Sequence, residues 1–272
     1  MFKKPSHFKL SRLTKNKGIL VGLGVGATLS LAGYVAYNNF RKSVKPMDPD
    51  LAHQASKIMF EDVKNALVIS PHPDDFIFFA GGTIKKLVNQ GIYVTVVDVC
   101  EGEKGAQLVN YGSQRRDTQI RSQKQLGYGD LRFLHYPQFN VDQTQLMLDL
   151  RNIWHEINPD LVITFDPHFP LRAASHPDHM TVGKSALQLA SDIGDNTKLY
   201  LYGSRKNTIL VDIEETIEDK TRAYLYQKVN VPVYRNFYTK SIYKMARLSA
   251  SNSSISLGES FRAFHNIHSF PY

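Results

Sequence analysis

The sequence ALVISPHPDD at residues 66–75 joins an apolar run to a loop of prolines, one histidine and two aspartates. A short apolar run without alternation is typical of a strand that helices cover on both faces. A second run of this kind, LVITF at residues 161–165, is followed by Asp-Pro-His. Sheets of this type bind ligands beyond the carboxyl ends of their strands, so the polar residues after each run are candidates for chemistry.

Outward from these two runs, short β-branched segments alternate with longer amphipathic ones. This pattern predicts βα units and a doubly wound, mainly parallel α/β sheet. Strands are predicted at residues 66–70, 93–99, 131–136, 161–165, 199–202 and 208–212. Helices are predicted at residues 82–89, 114–126, 143–157, 180–191, 214–227 and 239–249, with little regular structure after the last of them.

The charge of the chain is concentrated at one end. The net charge is +8, and Met1–Lys45 contains nine basic residues and no acidic one, which leaves −1 for the rest. A nearly neutral body has no electrostatic reason to follow a phosphate backbone, so we expect no nucleic-acid partner. The single cysteine, Cys100, excludes an internal disulfide and is expected to be a small buried residue.

An uncharged segment of 20 residues, Gly18–Tyr37, is long enough to span a bilayer as a helix. A cleavable signal peptide is the alternative, but Ala32 and Ala36 are spaced wrongly for its cleavage site. Six basic residues precede the segment and three follow it, which predicts a cytoplasmic N-terminus and a single-pass membrane protein whose globular part lies outside the cytoplasm.

These features divide the chain into four parts. Residues 1–17 form a basic cytoplasmic tail, residues 18–37 an uncleaved transmembrane anchor, residues 38–49 a proline-containing stalk, and residues 50–272 one globular domain. The sequence gives no indication of an oligomeric state.

The loops after the predicted strands contain a set of metal-binding side chains. His72, Asp74 and Asp75 follow the first strand, and His176 and His179 follow the fourth. Histidine and carboxylate ligands suit a catalytic zinc ion that keeps one position open to water. Neighbouring residues of an extended loop point apart, so one aspartate can bind the metal while the other acts as general base. Helix capping by Asp74, Asp75 or the HPDH segment is the structural alternative.

Several motifs occur in a characteristic order: PHPDD, AGGTIKKL, VTVVDVCEGEKG, RRDTQIRSQKQLG, LVITFDP and HPDH. In this order they resemble the PIG-L/LmbE family of zinc-dependent N-deacetylases, over about residues 65–262. The resemblance implies a Rossmann-like fold and hydrolysis of an N-acetyl group from an N-acetylglucosamine-type sugar, glycolipid or cell-envelope glycan.

The same resemblance implies a role for individual residues. Zinc ligands fall on His72, Asp75 and His179, and the general base falls on Asp74. His176 takes the role of oxyanion stabiliser or acid, and Arg115 matches an arginine that contacts substrate. A divalent metal other than zinc would suit the same ligands.

Three positions depart from the family pattern. Phe76 and Thr118 replace acidic residues, and Gln227 replaces a histidine that many members have. None of these changes removes a proposed ligand or the base. The departures concern the choice of substrate. Two alternatives to the deacetylase are also open: a metal amidase for another sugar-linked or thiol-conjugate amide, and a non-catalytic, membrane-anchored sugar-binding protein.

Overall fold

A computed structural model describes residues 60, 62–100, 112–171, 174–194, 196–227 and 235–264, with only the backbone of residues 112–115. The predicted tail, anchor and stalk lie outside these ranges. Within the ranges, no helix combines the length and apolar character needed to cross a bilayer.

The described part of the chain contains one sheet of seven strands in the order β3-β2-β1-β4-β5-β7-β6. The strands are β1 (Asn65–Ser70), β2 (Tyr93–Cys100), β3 (Asp130–Tyr136), β4 (Leu161–Phe165), β5 (Lys198–Tyr202), β6 (Ile209–Asp212) and β7 (Gly258–Phe264). The first five are parallel, whereas β7 runs antiparallel to both β5 and β6. This arrangement confirms the predicted mainly parallel α/β sheet.

Six helices connect the strands within the described ranges. They are α1 (Asp75–Asn89), α2 (Gly112–Leu126), α3 (Gln143–Ile157), α4 (Pro177–Ile193), α5 (Ile217–Tyr226) and α6 (Arg235–Ser249). Helices α3 and α4 pack together over the apolar side chains of β1, β2, β4 and β5, while α5 packs against α1 and α2.

Strands β1 and β4 are adjacent in the sheet, with Ile69 opposite Thr164. From β1 the chain proceeds to one side through β2 and β3, and from β4 to the other side through β5. The strand order therefore reverses between β1 and β4, which opens a crevice at their carboxyl ends. The fold places the loops after residues 70 and 165 on either side of that crevice.

The secondary-structure predictions differ most from the structure at α1 and β7. Helix α1 begins at Asp75, seven residues before the predicted start at Gly82. The weak helix propensity of Gly81 and Gly82 obscured it, yet at Gly82 a Cβ atom would lie 2.8 Å from Ile213, so close packing requires glycine there. Strand β7 lies in a region predicted to have little regular structure. Its buried residues include the charged Glu259 and Arg262, so its sequence lacks the apolar pattern that predicts a strand.

Candidate active site

Three side chains from the two loops converge at the crevice. His72 Nδ1 lies 3.1 Å from Asp75 Oδ2 and 3.1 Å from His179 Nε2. His179 Nε2 lies 2.9 Å from the same Asp75 oxygen. His72 is in the loop after β1, Asp75 begins α1, and His179 lies in the first turn of α4. The structure thus brings together the three predicted metal ligands.

The outer nitrogen of each imidazole is paired with an acceptor. His72 Nε2 lies 3.1 Å from Asp178 Oδ2, and His179 Nδ1 lies 2.9 Å from the carbonyl oxygen of Ala174. A carboxylate or carbonyl oxygen can only accept, so these outer nitrogens carry the protons. In their neutral forms, as metal ligands, the two imidazoles then present the lone pairs of their inner nitrogens to each other and to the carboxylate of Asp75.

Three converging lone pairs repel one another unless positive charge lies between them. Ligand atoms about 2.0–2.2 Å from a tetrahedral zinc ion are roughly 3.3–3.6 Å apart, only slightly more than the spacing of these three atoms. Carboxylate and carbonyl partners on the outer nitrogens of metal-binding histidines are a regular feature of such sites. The donor set therefore fits a zinc ion.

The electrostatics of this triad of His72, Asp75 and His179 also favour positive charge. Burial alone would lower the pKa of His72, but hydrogen bonds to Asp178 and Asp75 raise it to about 10. Burial would raise the pKa of Asp75, yet the charges and hydrogen bonds of His179 and His72 hold it well below its usual range. The carboxylates thus create a negative potential at the point where the three ligand atoms meet.

His72, His176 and Asp178 form a second group with metal-ligand geometry. Its donor atoms have other partners, however. The Asp178 oxygens accept from His72 and from the backbone N–H of Phe139, and His176 Nδ1 accepts from the Asp178 N–H at 3.2 Å. The triad is the better candidate for a metal site, because in the second group both Asp178 oxygens and His176 Nδ1 already accept hydrogen bonds.

Asp74 lies at the N-cap position of α1, next to the triad. Its side chain makes no capping hydrogen bond, so the capping alternative does not account for this residue. The side chain is half-buried, and its neighbour Asp75 points into the triad. This position is compatible with a carboxylate that faces a bound water.

His176 is the N-cap of α4, and its ring lies 5.3 Å from the rings of both His72 and His179. Because Nδ1 accepts the Asp178 N–H, the proton of the neutral ring lies on Nε2. Burial lowers the pKa of His176, and the positive charge of a doubly protonated His72 lowers it further. His176 is therefore a neutral hydrogen-bond donor beside the triad.

Residues 67–190 match the family model described as PIG-L: GlcNAc-PI de-N-acetylase. This range contains both loops and all the side chains described above. Residues 67–190 belong to the PIG-L family.

Individual relatives agree with this match. The diacetylchitobiose deacetylase of Thermococcus kodakarensis is 27% identical over 209 residues, which cover 69% of this chain and 77% of that protein. A probable N-acetyl-alpha-D-glucosaminyl L-malate deacetylase 2 of Bacillus cereus is 31% identical over 139 residues, 47% of this chain and 61% of that protein.

A solved structure extends the similarity to the fold. The N,N'-diacetylchitobiose deacetylase of Pyrococcus horikoshii, in complex with its inhibitor MPG, superposes with a TM-score of 0.68 and 28% identity. The superposition covers 75% of this chain and 85% of that one.

The remaining predicted site residue, Arg115, lies in the first turn of α2 of the PIG-L domain. Its side chain is outside the described part, so its substrate-binding role stays a prediction. Of the three departures from the family pattern, two are in contact: the Thr118 hydroxyl donates to Gln227 Oε1 at 3.2 Å. Phe76 is fully buried and packs edge-on against Tyr128.

From the sequence, Asp178 has no role of its own beyond the capping alternative for the HPDH segment. In the structure its carboxylate contacts His72, and its own N–H donates to His176 Nδ1. Burial alone would raise its pKa, whereas the hydrogen bond from His72 holds the pKa below its usual range. Its position between two histidines in HPDH was the available signal.

Proposed function

We propose that this chain is a zinc-dependent N-deacetylase that removes an acetyl group from an N-acetylglucosamine-type sugar, glycolipid or cell-envelope glycan. The observation that carries the proposal is the convergence of three ligand lone pairs from His72, Asp75 and His179 next to Asp74 and His176. Relatives named as deacetylases of N-acetylated sugars support the substrate class.

The proposed mechanism assigns separate steps to separate residues. Zinc held by His72, Asp75 and His179 would supply Lewis acidity and lower the pKa of water at the site. Asp74 accepts the proton of the attacking water, whose oxygen bonds to the acetyl carbon. His176 donates its Nε2–H to the acetyl oxygen as charge develops there. When the C–N bond breaks, the proton that Asp74 took up passes to the amine nitrogen, and acetate is released.

Two other functions would use the same fold. A metal amidase for another sugar-linked or thiol-conjugate amide would share every residue of this mechanism. A non-catalytic sugar-binding protein would need neither a base nor an oxyanion donor. Asp74, which does not cap its helix, and His176, whose ring lies 5.3 Å from the rings of His72 and His179, favour a catalyst.

The deciding experiment is product analysis of the purified full-length chain with zinc and N-acetylated sugars, glycolipids and glycan polymers. Release of acetate together with a free amine is the expected result. Elemental analysis should find about one divalent ion per chain, and this ion should be lost when His72, Asp75 or His179 is replaced by alanine. Unchanged metal content in all three variants would contradict the assigned ligands.

We also propose that Gly18–Tyr37 anchors the chain in the membrane, with the PIG-L domain outside the cytoplasm. The uncharged length of the segment and the excess of basic residues before it support this topology. An anchor would hold the site close to envelope glycans or glycolipids.

A further inference from the structure

Phe139, in the loop between β3 and α3, has an unusual combination of backbone and exposure. Its φ angle is 64°, in the left-handed region that bulky residues rarely adopt. Its side chain is 58% exposed, the largest fraction among the exposed large hydrophobic residues of the described ranges. Neither the conformation nor the exposure helps folding, since glycine would relieve the strain and a polar residue would be better hydrated.

The active site holds Phe139 in this conformation. Its backbone N–H donates to Asp178 Oδ1 at 2.9 Å, while the other oxygen of that carboxylate contacts His72. The Phe139 ring lies 4.5 Å from the His176 ring, at an angle of 45°. One carboxylate thus contacts both a triad histidine and the backbone of Phe139, whose ring packs against His176.

A bulge in β3 helps to direct this loop. The pairing of β2 with β3 shifts between Asp98 and Cys100, and His135, within the shifted part, also has a positive φ of 58°. Bulges next to active sites commonly re-aim the chain that follows them. Here the bulge immediately precedes the loop that carries Phe139 to His176.

We infer that Phe139 is a specificity-determining residue whose ring packs against the apolar C–H face of the substrate's sugar ring. The inference rests on the proposed function. With the acetamide group at the triad, a sugar that extends past His176 reaches the neighbouring ring of Phe139. Aromatic side chains provide a large, flat contact surface and lose little conformational entropy on binding.

The strain at Phe139 allows a sharp test with Phe139→Gly. This variant removes the ring and relieves the backbone, so the folded protein should be at least as stable as the wild type. For an N-acetylated disaccharide we expect KM to rise by about three- to tenfold, the scale of a lost aromatic contact, while kcat changes less than about twofold. Phe139→Tyr should restore the wild-type KM, whereas Phe139→Leu should not.

Asn158 offers a matched control. It also has a positive φ, 48°, but it caps the end of α3 and precedes β4. It therefore lies near the amino-terminal ends of the parallel strands, whereas the site lies at their carboxyl ends. Asn158→Gly should leave KM and kcat unchanged. Unchanged kinetics in Phe139→Gly, or full rescue of KM by leucine, would overturn the role of the ring without affecting the proposed function.

A binding measurement separates this inference from the proposed function. Saturation-transfer NMR with N,N'-diacetylchitobiose and the full-length chain, in a detergent without a sugar headgroup, should show transfer to the sugar-ring protons. That transfer should weaken in Phe139→Gly. If no N-acetylated sugar is hydrolysed, the proposed function fails by itself. Equal transfer in the two proteins, or none in either, would then overturn the inference.

Discussion

Asp74 is the residue whose replacement separates catalysis from metal binding. Asparagine keeps the shape of the side chain but cannot take up a proton at neutral pH, so Asp74→Asn should retain zinc and lose roughly a hundredfold or more in turnover. Stability should change little, because asparagine and aspartate are about equally favourable at the N-cap position that this residue occupies. Metal content, kcat and thermal unfolding check this. A fully active, zinc-loaded variant would require another base, such as His176 or Glu101, which follows the second predicted strand in the sequence.

Replacement of Asp178, unlike that of Asp74, should weaken zinc binding. In Asp178→Asn the amide offers one acceptor where the carboxylate serves two donors, His72 Nε2–H and the Phe139 N–H. We expect zinc affinity to fall by about 10- to 100-fold, as is usual when the partner of a metal-binding histidine is lost. Competition with a chelator measures the affinity. Unaltered affinity would mean that Asp178 does not orient His72.

Asp98 is a buried carboxyl group on β2, opposite Ser70 of β1. Burial and the charges of Asp75 and Asp74 raise its pKa well above the usual range. The folded state therefore keeps this proton at pH values where the unfolded chain, with an ordinary Asp pKa of about 4, has lost it. The contribution of Asp98 to stability is full below that pH and falls as pH rises towards the folded-state pKa.

Asp98→Asn should remove this dependence. In chelated protein, the free energy of unfolding of the variant should increasingly exceed that of the wild type above about pH 4, because asparagine has no proton to lose. Denaturant titrations at several pH values measure the difference. A difference that does not vary with pH would contradict the raised pKa.

At the scale of residues, the sequence indicates the positions of His72 and Asp75 because they directly follow an apolar strand, and the position of His179 because it belongs to the HPDH motif before the next helix. Asp178 and Phe139 were not found because their roles depend on contacts across the fold. Phe139 meets Asp178 only when the loops after β3 and β4 come together. The contact between Phe139 and Asp178 therefore cannot be predicted from the spacing of residues in a local motif.

At the scale of elements, strand β7 is linked to α1 and α5 through a buried ion pair. Lys220 Nζ lies 2.7 Å from Glu259 Oε1, and both side chains are at most 3% exposed. Glu259 also accepts the backbone N–H groups of Gly82 and Thr83 in the middle of α1. A single carboxylate thus ties the antiparallel strand to the helix that begins in the site loop.

Glu259→Ala should therefore be strongly destabilising. It leaves the Lys220 ammonium group buried without its carboxylate, which typically costs about 3–5 kcal/mol of unfolding free energy. Glu218→Ala is the control, because Glu218 pairs with Arg222 at 3.2 Å on the exposed surface and should contribute less than about 1 kcal/mol. Urea denaturation measures both. Similar losses of unfolding free energy in the two variants would show that the buried ion pair stabilises the fold no more than the exposed one.

The buried charges of β7 also explain why the sequence pattern predicts some elements and not this one. Strands β1 and β4 are apolar at most positions, and their predicted bounds agree with the structure within one residue; the predicted limits of α3 are the observed ones. In β7, the buried charges Glu259 and Arg262 pair with Lys220 and Asp166 from distant elements. Periodicity detects apolar burial but not charges that tertiary partners neutralise.

At the scale of the whole molecule, the final prediction concerns the placement of the PIG-L domain relative to the membrane. Six basic residues precede Gly18–Tyr37 and three follow it, so the N-terminus should remain in the cytoplasm. A C-terminal reporter that is active only outside the cytoplasm should work, and a reporter that fluoresces only inside should not. Replacing the six preceding basic residues with glutamine should weaken or reverse this result, whereas glutamine at Arg41, Lys42 and Lys45 should preserve it. Activity of the cytoplasmic reporter alone would refute the orientation, and a mature chain that starts near Tyr37 would refute the anchor.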